Sequence, residues 1–354
     1  MEIPKERIGL KGKVKWESPS NIALVKYWGK YGRQYPRNSS ISFTLNNAKS
    51  ITELAYEVLP EPSKNLQLKF EFEGKANASF ENKIVKFLES VEDLYPYLRQ
   101  IKMDLKSENT FPHSTGIASS ASAMSALAMC ILDMESEIFQ KGNIDLNKAS
   151  TLARLGSGSA SRSIFPVMAL WGNHDKVENS SNDFAIGYEN QIHEIFKDFH
   201  DDILIVSKEE KSVSSTAGHA LMDGNPYAEQ RYLSAQNNIQ KLLESLNSGA
   251  LEVFIEIVEQ EALTLHALMM CSKPSFILLK ASTLRMIELI RNFREEQKIP
   301  VCFTLDAGPN IHLLYPDKFK EKISSFIEKD LKPLTSNGDS VLYDNVGQGP
   351  RKNK

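Results

Sequence analysis

The chain has 354 residues, 41% hydrophobic and 25% charged, which suffices for a large core and, by length, for two domains. Lys+Arg 42 against Asp+Glu 45 leaves a net charge of −3, a poor match for sequence-independent binding to nucleic acid or an acidic membrane. Cys130, Cys271 and Cys302 lie far apart with no CxxC pair, so neither a disulfide scaffold nor a cysteine zinc site is expected.

The start, MEIPKERIGLKGK, has no apolar leader, and no apolar run approaches ~18 residues, so a cytoplasmic protein is expected. Alternation at Ile41–Leu45 and Leu66–Phe72 predicts half-buried strands, expected to be antiparallel. A helix is predicted near 80–98, with Ile84, Val85, Phe87, Leu88, Val91 and Leu94 on its apolar face. A strand at Ile101–Leu105 and a helix over Ser119–Phe139 follow, then a third helix from Asn147 towards Ser163. Short strands are predicted at Val167–Trp171 and Phe184–Gly187. The second half opens on a strand at Asp202–Val206 and continues with helices near 226–246, 250–270 and 279–297. Strands at Val301–Leu305 and Ile311–Leu314, a helix near 317–330 and a strand at Ser340–Tyr343 close the chain. Without regular βαβ alternation this is an α+β pattern, with domains expected at 1–195 and 196–354.

Four segments carry more chemistry than a scaffold needs. The stretch from Ser20 to Lys30 places Lys26 and Lys30, with Arg33 and Arg37 beyond, beside aromatics and hydroxyls. That suits an anionic substrate, although a solvated strand edge reads the same way. Phe111–Ser122 is a turn of small and hydroxylated residues running into a helix. Such a helix start favours phosphate, and serine hydroxyls can add ligands for phosphate or Mg²⁺; the bland alternative is a capped helix. In Gly156–Ser163, two glycines inside a helical pattern imply close approach to a ligand or a packing groove, and Arg162 offers a planar fork for carboxylate or phosphate. Asp306 follows an apolar strand and precedes Gly308-Pro309, as a semi-buried acid or an Asx-turn residue. His266, His312 and Cys271 read as packed core.

Taken in order, SNIALVKYWGK, NSSISFTL, FPHSTGIASSAS, ARLGSGSASRS, KSVSSTAG and LDAGPN resemble the diphosphomevalonate decarboxylase family of the GHMP kinase superfamily. The resemblance implies a two-domain fold: an N-terminal ribosomal-S5-like domain and a C-terminal ferredoxin-like domain, with the site in the cleft between them. It implies ATP-dependent phosphorylation of the 3-hydroxyl of 5-diphosphomevalonate, then loss of phosphate and CO₂ to give isopentenyl diphosphate, with Mg²⁺ accompanying ATP. Asp306 corresponds to the catalytic aspartate, Lys26 to the lysine that keeps it ionised, and Arg162 and Asn21 to the residues that grip and orient the substrate carboxylate. Tyr27, Lys30, Ser157 and Ser159 correspond to diphosphate ligands, and Ser214, Ser215 and Thr216 to a loop bordering the diphosphate and γ-phosphate. Ser114, Gly116, Ile117, Ala118, Ser119 and Ser120 correspond to the ATP phosphate loop, with Ser120 also toward the metal. The lysine for the γ-phosphate is Lys208 or Lys211. Partners are then small molecules, and a homodimer is left open. The chain departs from the family pattern at His113–Thr115, Phe165–Val167, Thr216 and His219. The rival readings are a mevalonate 3-kinase, a decarboxylase of a differently phosphorylated mevalonate, or a silent binding protein. The joint presence of Asp306 and Lys26 argues for decarboxylation.

Overall fold

The computed structural model describes residues 2–111, 119–209 and 215–353, with backbone alone at 215 and 216. The first half is built on two long strands, β1 (Lys11–Val25) and β4 (Ser40–Val58), paired antiparallel from Lys11↔Glu57 to Val25↔Ile41. A small hairpin, β2 (Lys30–Tyr31) with β3 (Tyr35–Pro36), joins them. Then come β5 (Gln67–Phe72), β6 (Lys75–Ala76), α1 (Ala78–Ser90) and β7 (Ile101–Asn109). Strand β7 pairs with β4 on one side and with β5 on the other, and the β5–β7 pair is parallel rather than antiparallel. The order strand, helix, strand explains it: α1 is the crossover that a parallel pair requires.

Helix α1 is shorter than its periodicity predicts. Asn77 caps its start by accepting from the Phe80 N–H at 3.1 Å. Pro96 disfavours a helical conformation at Tyr95, the chain turns after Ser90, and Leu94 is exposed rather than packed. Helix α2 (Ser119–Phe139) has the predicted bounds. Its small residues let it lie close on the sheet, where the Ser18 hydroxyl donates to Ser125 at 2.6 Å and Ser50 and Ser122 hydroxyls meet at 2.7 Å. The predicted helix 147–163 breaks in two. Helix α3 (Leu146–Gly156) stops at an extended Ser157, and a 3₁₀ turn occupies Gly158–Ile164. Strands β8 (Met168–Trp171) and β9 (Ala185–Gly187) complete this side of the sheet, β8 pairing with the start of β4.

In the second half β10 (Phe199–Leu204) begins three residues before its predicted start. After α4 (Ser215–Ala220) come the long helices α5 (Ala228–Ser248), α6 (Leu251–Met270) and α7 (Ala281–Gln297). Strands β11 (Cys302–Leu305) and β12 (Ile311–Pro316) follow. The predicted helix 317–330 divides into a 3₁₀ turn, α8 (Lys320–Phe326) and a π-helical turn over Ile327–Leu331. Strand β13 (Val341–Leu342) completes a sheet of order β11-β12-β10-β13. The chain then returns to the first sheet, where β14 (Arg351–Lys352) pairs with β1.

One core lies between the first sheet and α1–α3, another between the second sheet and α7–α8. A third joins the halves, with β1 and β4 side chains meeting those of α5, α6 and β10. Helix α6 packs on both β1 and β11, which brings the end of β1 towards the end of β11. His266 and His312 are buried as expected, but Cys271 is exposed, because α6 ends at Met270 and the thiol lies beyond its packed face. No helix among the described residues is long and apolar enough to cross a membrane.

Candidate active site

Lys26 immediately follows β1, and only 2% of it is exposed. Its ammonium donates to the Ala23 carbonyl at 2.6 Å. Burial pushes its pKa down to about 8, opposed chiefly by the negative charge of Asp306 and then of Glu261. Asp306 immediately follows β11, half-buried, and its carbonyl faces His266 Nε2 at 3.1 Å. The turn beyond it is anchored by Asn310, whose Oδ1 accepts from the N–H groups of Val206 and Ser207 at 2.8 and 3.1 Å.

Arg162 projects from the 3₁₀ turn into the same region and is equally buried. Its guanidinium donates to Ser42 Oγ at 3.1 Å, Ser40 Oγ at 2.6 Å and Asn21 Oδ1 at 3.3 Å. Ser40 and Ser42 are two apart in β4 and so face the same way, a spacing that could have marked them as partners of Arg162. Asn21 is fixed in turn, donating to Ser163 Oγ at 2.8 Å and the Ser159 carbonyl at 3.1 Å. Burial lowers the Arg162 pKa to about 10, with Tyr27 and Asp306 opposing, so it remains a cation at neutral pH. The expected group of Lys26, Asp306, Arg162 and Asn21 is therefore brought together.

The neighbouring aromatic wall holds Tyr27, whose ring lies 4.8 Å from that of Trp171 and 4.2 Å from that of His219. Burial raises the Tyr27 hydroxyl pKa, so it is a neutral donor. His219 is also 4.6 Å from Trp28 and accepts the Gly29 N–H on Nδ1 at 3.0 Å, so its proton sits on Nε2. Burial, with Lys30 second, pushes its pKa down to about 3. Gly29 has φ +93, and a side chain there would meet the Tyr232 hydroxyl at 2.4 Å. Lys30 is half-buried with a pKa lowered by burial, and its ammonium donates to Gln34 Oε1 at 2.8 Å. Arg33 is engaged away from this group, and Arg37 remains near it, its charge acting on Tyr232 beside Gly29. Arg33 binds Asp93 at 2.9 Å, and Arg37 lies over the Tyr31 ring.

The glycines of the third segment meet this chain's own side chains. A Cβ at Gly158 would come within 2.8 Å of the Tyr27 hydroxyl and 3.0 Å of the Trp171 ring, and one at Gly156 would press on Met124. Ser157 and Ser159 are partly exposed beside them, and Ser157 Oγ lies 3.4 Å from Ser120 Oγ at the start of α2. Ser119 and Ser120 also border a largely apolar cavity of about 290 Å³ between β4, β5, α1, β7 and α2. Phe70, Phe80, Met124 and Leu127 line it, and Asn109 and Ser107 add polar groups. Sequence reasoning missed this cavity, whose walls come from five separate elements.

Ser114, Gly116, Ile117, Ala118, Lys211 and Ser214 lie outside the described residues. Ser215 and Thr216 are placed by backbone only, in α4, and Lys208 is exposed. Among the described residues no group of three His, Cys, Asp or Glu side chains could hold a metal ion. The available donors are hard oxygens such as the exposed Ser120 hydroxyl, which fits Mg²⁺ held mainly by nucleotide phosphates and water.

Two family models match. The diphosphomevalonate decarboxylase-like N-terminal domain covers residues 18–182, and the mevalonate 5-diphosphate decarboxylase C-terminal domain covers residues 202–352. A diphosphomevalonate decarboxylase from Debaryomyces hansenii is 28% identical over 94% of this chain and 93% of its own length. The mevalonate diphosphate decarboxylase of Staphylococcus aureus superposes with a TM-score of 0.82 at 26% identity, over 98% of this chain and 99% of its own. MDDEF in complex with MVAPP, AMPPCP and magnesium gives 0.81 at 26% identity, over 98% of this chain and all of that one. Both halves of the fold and nearly the whole length are thus accounted for by one family: this chain belongs to the diphosphomevalonate decarboxylases, two-domain proteins of the GHMP kinase fold.

Proposed function

We propose that this chain converts 5-diphosphomevalonate and ATP into isopentenyl diphosphate, CO₂, ADP and phosphate, with Asp306, Lys26, Arg162 and Asn21 at the reacting end. The observation that carries the reading is the set of two buried cations, Lys26 and Arg162, both under the influence of the Asp306 carboxylate. Buried cations of this kind are costly unless they meet anions, and the substrate supplies a carboxylate and phosphates.

Asp306 accepts the proton of the 3-hydroxyl as its oxygen bonds to the γ-phosphorus and ADP leaves. The C3–O bond then breaks and phosphate departs with the electron pair. Positive character at C3 is quenched by electrons from the C–CO₂⁻ bond, which become the new double bond as CO₂ leaves. Arg162, held by Ser40, Ser42 and Asn21, orients the carboxylate so that this bond is aligned. Lys26 keeps positive charge where negative charge accumulates during phosphoryl transfer.

Tyr27, Lys30, Ser157 and Ser159 anchor the 5-diphosphate. The apolar cavity takes the nucleoside, and the start of α2 faces the ATP phosphates. Ser120 would hold Mg²⁺, which neutralises phosphate charge when bound. The phosphate-loop roles of Ser114 and Gly116–Ala118, and those of Lys211 and Ser214–Thr216, rest on the family resemblance alone.

The test is a substrate panel of diphosphomevalonate, 5-phosphomevalonate and mevalonate, each with ATP. A charge-assisted contact contributes ~1.5–3 kcal/mol, so losing the anchor should cost roughly one to two decades in kcat/KM. Diphosphomevalonate should lead by at least that margin, and Lys30→Ala should raise its KM more than that of ATP. Equal kcat/KM for all three substrates would show that this cluster does not read the diphosphate, and ADP formation without CO₂ would assign the site to a mevalonate 3-kinase.

A further inference from the structure

Lys26 lies one residue beyond the last β1–β4 pair, Val25↔Ile41, so the sheet provides no partner for its peptide groups. Backbone groups buried in this way need other partners. They find them in the opposite half of the molecule. The Lys26 N–H donates to Glu261 Oε2 at 2.9 Å, and the Lys26 carbonyl accepts from Arg231 Nη2 at 2.9 Å. Arg231 on α5 and Glu261 on α6 form a two-pronged pair, both contacts 2.7 Å, with side chains 1% exposed. Asn238 donates to Glu261 Oε1 at 2.6 Å, and Asn38 adds a second bond to the Lys26 carbonyl at 2.9 Å.

We propose that the Arg231–Glu261 pair is a positioning unit for Lys26, gripping both of its peptide groups and supplying a negative charge that keeps its side chain an ammonium. The inference rests on the role given to Lys26 above. A buried ion pair contributes little net stability over an apolar pair of the same shape. Apolar side chains could fill this space, but they could not bond the Lys26 backbone. The ammonium itself bonds the carbonyl of Ala23, three residues back, so its position follows the path of this same short segment.

The charged groups acting on Lys26 are Asp306 after β11, Glu261 on α6, Arg162 on the 3₁₀ turn and Asp201 on β10. The cation of Arg231, on α5, lies against its carbonyl. Of the two principal supporting anions, Asp306 has the substrate to serve, whereas Glu261 is buried behind the lysine with Arg231. Removing the charge of Glu261 leaves the ammonium less supported and frees the Arg231 cation, and both effects lower the Lys26 pKa.

The test measures ATP-dependent CO₂ release from diphosphomevalonate across neutral and alkaline pH. Glu261→Gln should move the alkaline fall in kcat downwards by roughly one pH unit and lower kcat, with the KM for ATP unchanged. Glu261→Asp keeps the charge, so its fall should stay at the wild-type pH although kcat drops. A purely structural pair would change the melting temperature and leave the pH profile in place, and that result for Glu261→Gln overturns the proposal. Should Glu261→Gln fail to fold, Arg231→Lys decides: it keeps the charge and gives up the fork. A fall in kcat with the KM for ATP and the melting temperature near their wild-type values supports the brace, whereas wild-type kcat, or a kcat loss that only follows a lowered melting temperature, overturns it. Wild-type protein that releases no CO₂ would instead overturn the functional reading, which the variants leave separate.

Discussion

Lys26 is an ammonium that water scarcely reaches, and its pH response follows from that. Below about 8 it is protonated, and above about 8 burial wins and the charge is lost. Turnover should therefore fall as pH rises through about 8, read as the alkaline limb of kcat against pH. Lys26→Arg, with a cation that does not titrate in this range, should lower turnover and abolish that limb. His219 adds no limb of its own at working pH, because its pKa is pushed down to about 3. At this scale the sequence was most readable for charged residues set in unusual segments: Lys26 beside aromatics and hydroxyls, Arg162 among glycines and serines, and Asp306 after an apolar strand. Arg231 and Glu261 passed unnoticed because each looks like an ordinary polar helix position until the two helices meet.

Among the elements, the turn at Gly158–Ile164 matters most, because it carries Arg162, whose guanidinium lies 6.0 Å from the Trp171 ring centroid, and packs Gly158 against Tyr27 and Trp171. Gly158→Ala would force a Cβ to within 2.8 Å of the Tyr27 hydroxyl and 3.0 Å of the Trp171 ring, which is 0% exposed. Overpacking of this kind costs ~1–3 kcal/mol. The variant should melt earlier and show a raised KM for diphosphomevalonate, with the KM for ATP less affected. An unchanged melting temperature and KM would mean that the turn adjusts freely. The sequence marked this segment through its glycines but read them as helix interior, since a break at Ser157 leaves no trace in apolar spacing. Strand β5 shows a related limit. Alternation in Leu66–Phe72 reports which face is buried, whereas the direction of its neighbour was set by the crossover through α1. Strand β1 was unread along most of its length, its pattern interrupted by Pro19 and a register shift between Pro19 and Asn21.

Across the whole molecule, the last residues tie the halves together, and no local pattern could have shown it. The Asp344 carboxylate accepts from the N–H groups of Asn46, Asn47 and Ala48 at 2.9, 2.8 and 2.7 Å, fixing the C-terminal segment to β4. Asp202 lies beneath it, accepting from the Asp344 N–H at 3.2 Å and from the Tyr315 hydroxyl. Burial raises the Asp202 pKa to about 6, with hydrogen bonds and His200 opposing. Its folded value thus exceeds the ordinary ~3.9 of an unfolded aspartate, so its stabilising contribution is full below ~3.9 and lost as pH rises through about 6. Measured by urea unfolding, the stability of Asp202→Asn relative to wild type should improve steadily across that interval. A constant difference would show that Asp202 does not titrate there.

The ratio of CO₂ released to ADP formed, with diphosphomevalonate and ATP as substrates, tests the central claim most directly. The arrangement of Asp306, Lys26 and Arg162 predicts one CO₂ and one phosphate for each ADP, at every extent of reaction. ADP formation without CO₂ would contradict it, because phosphoryl transfer would then be the whole of the chemistry.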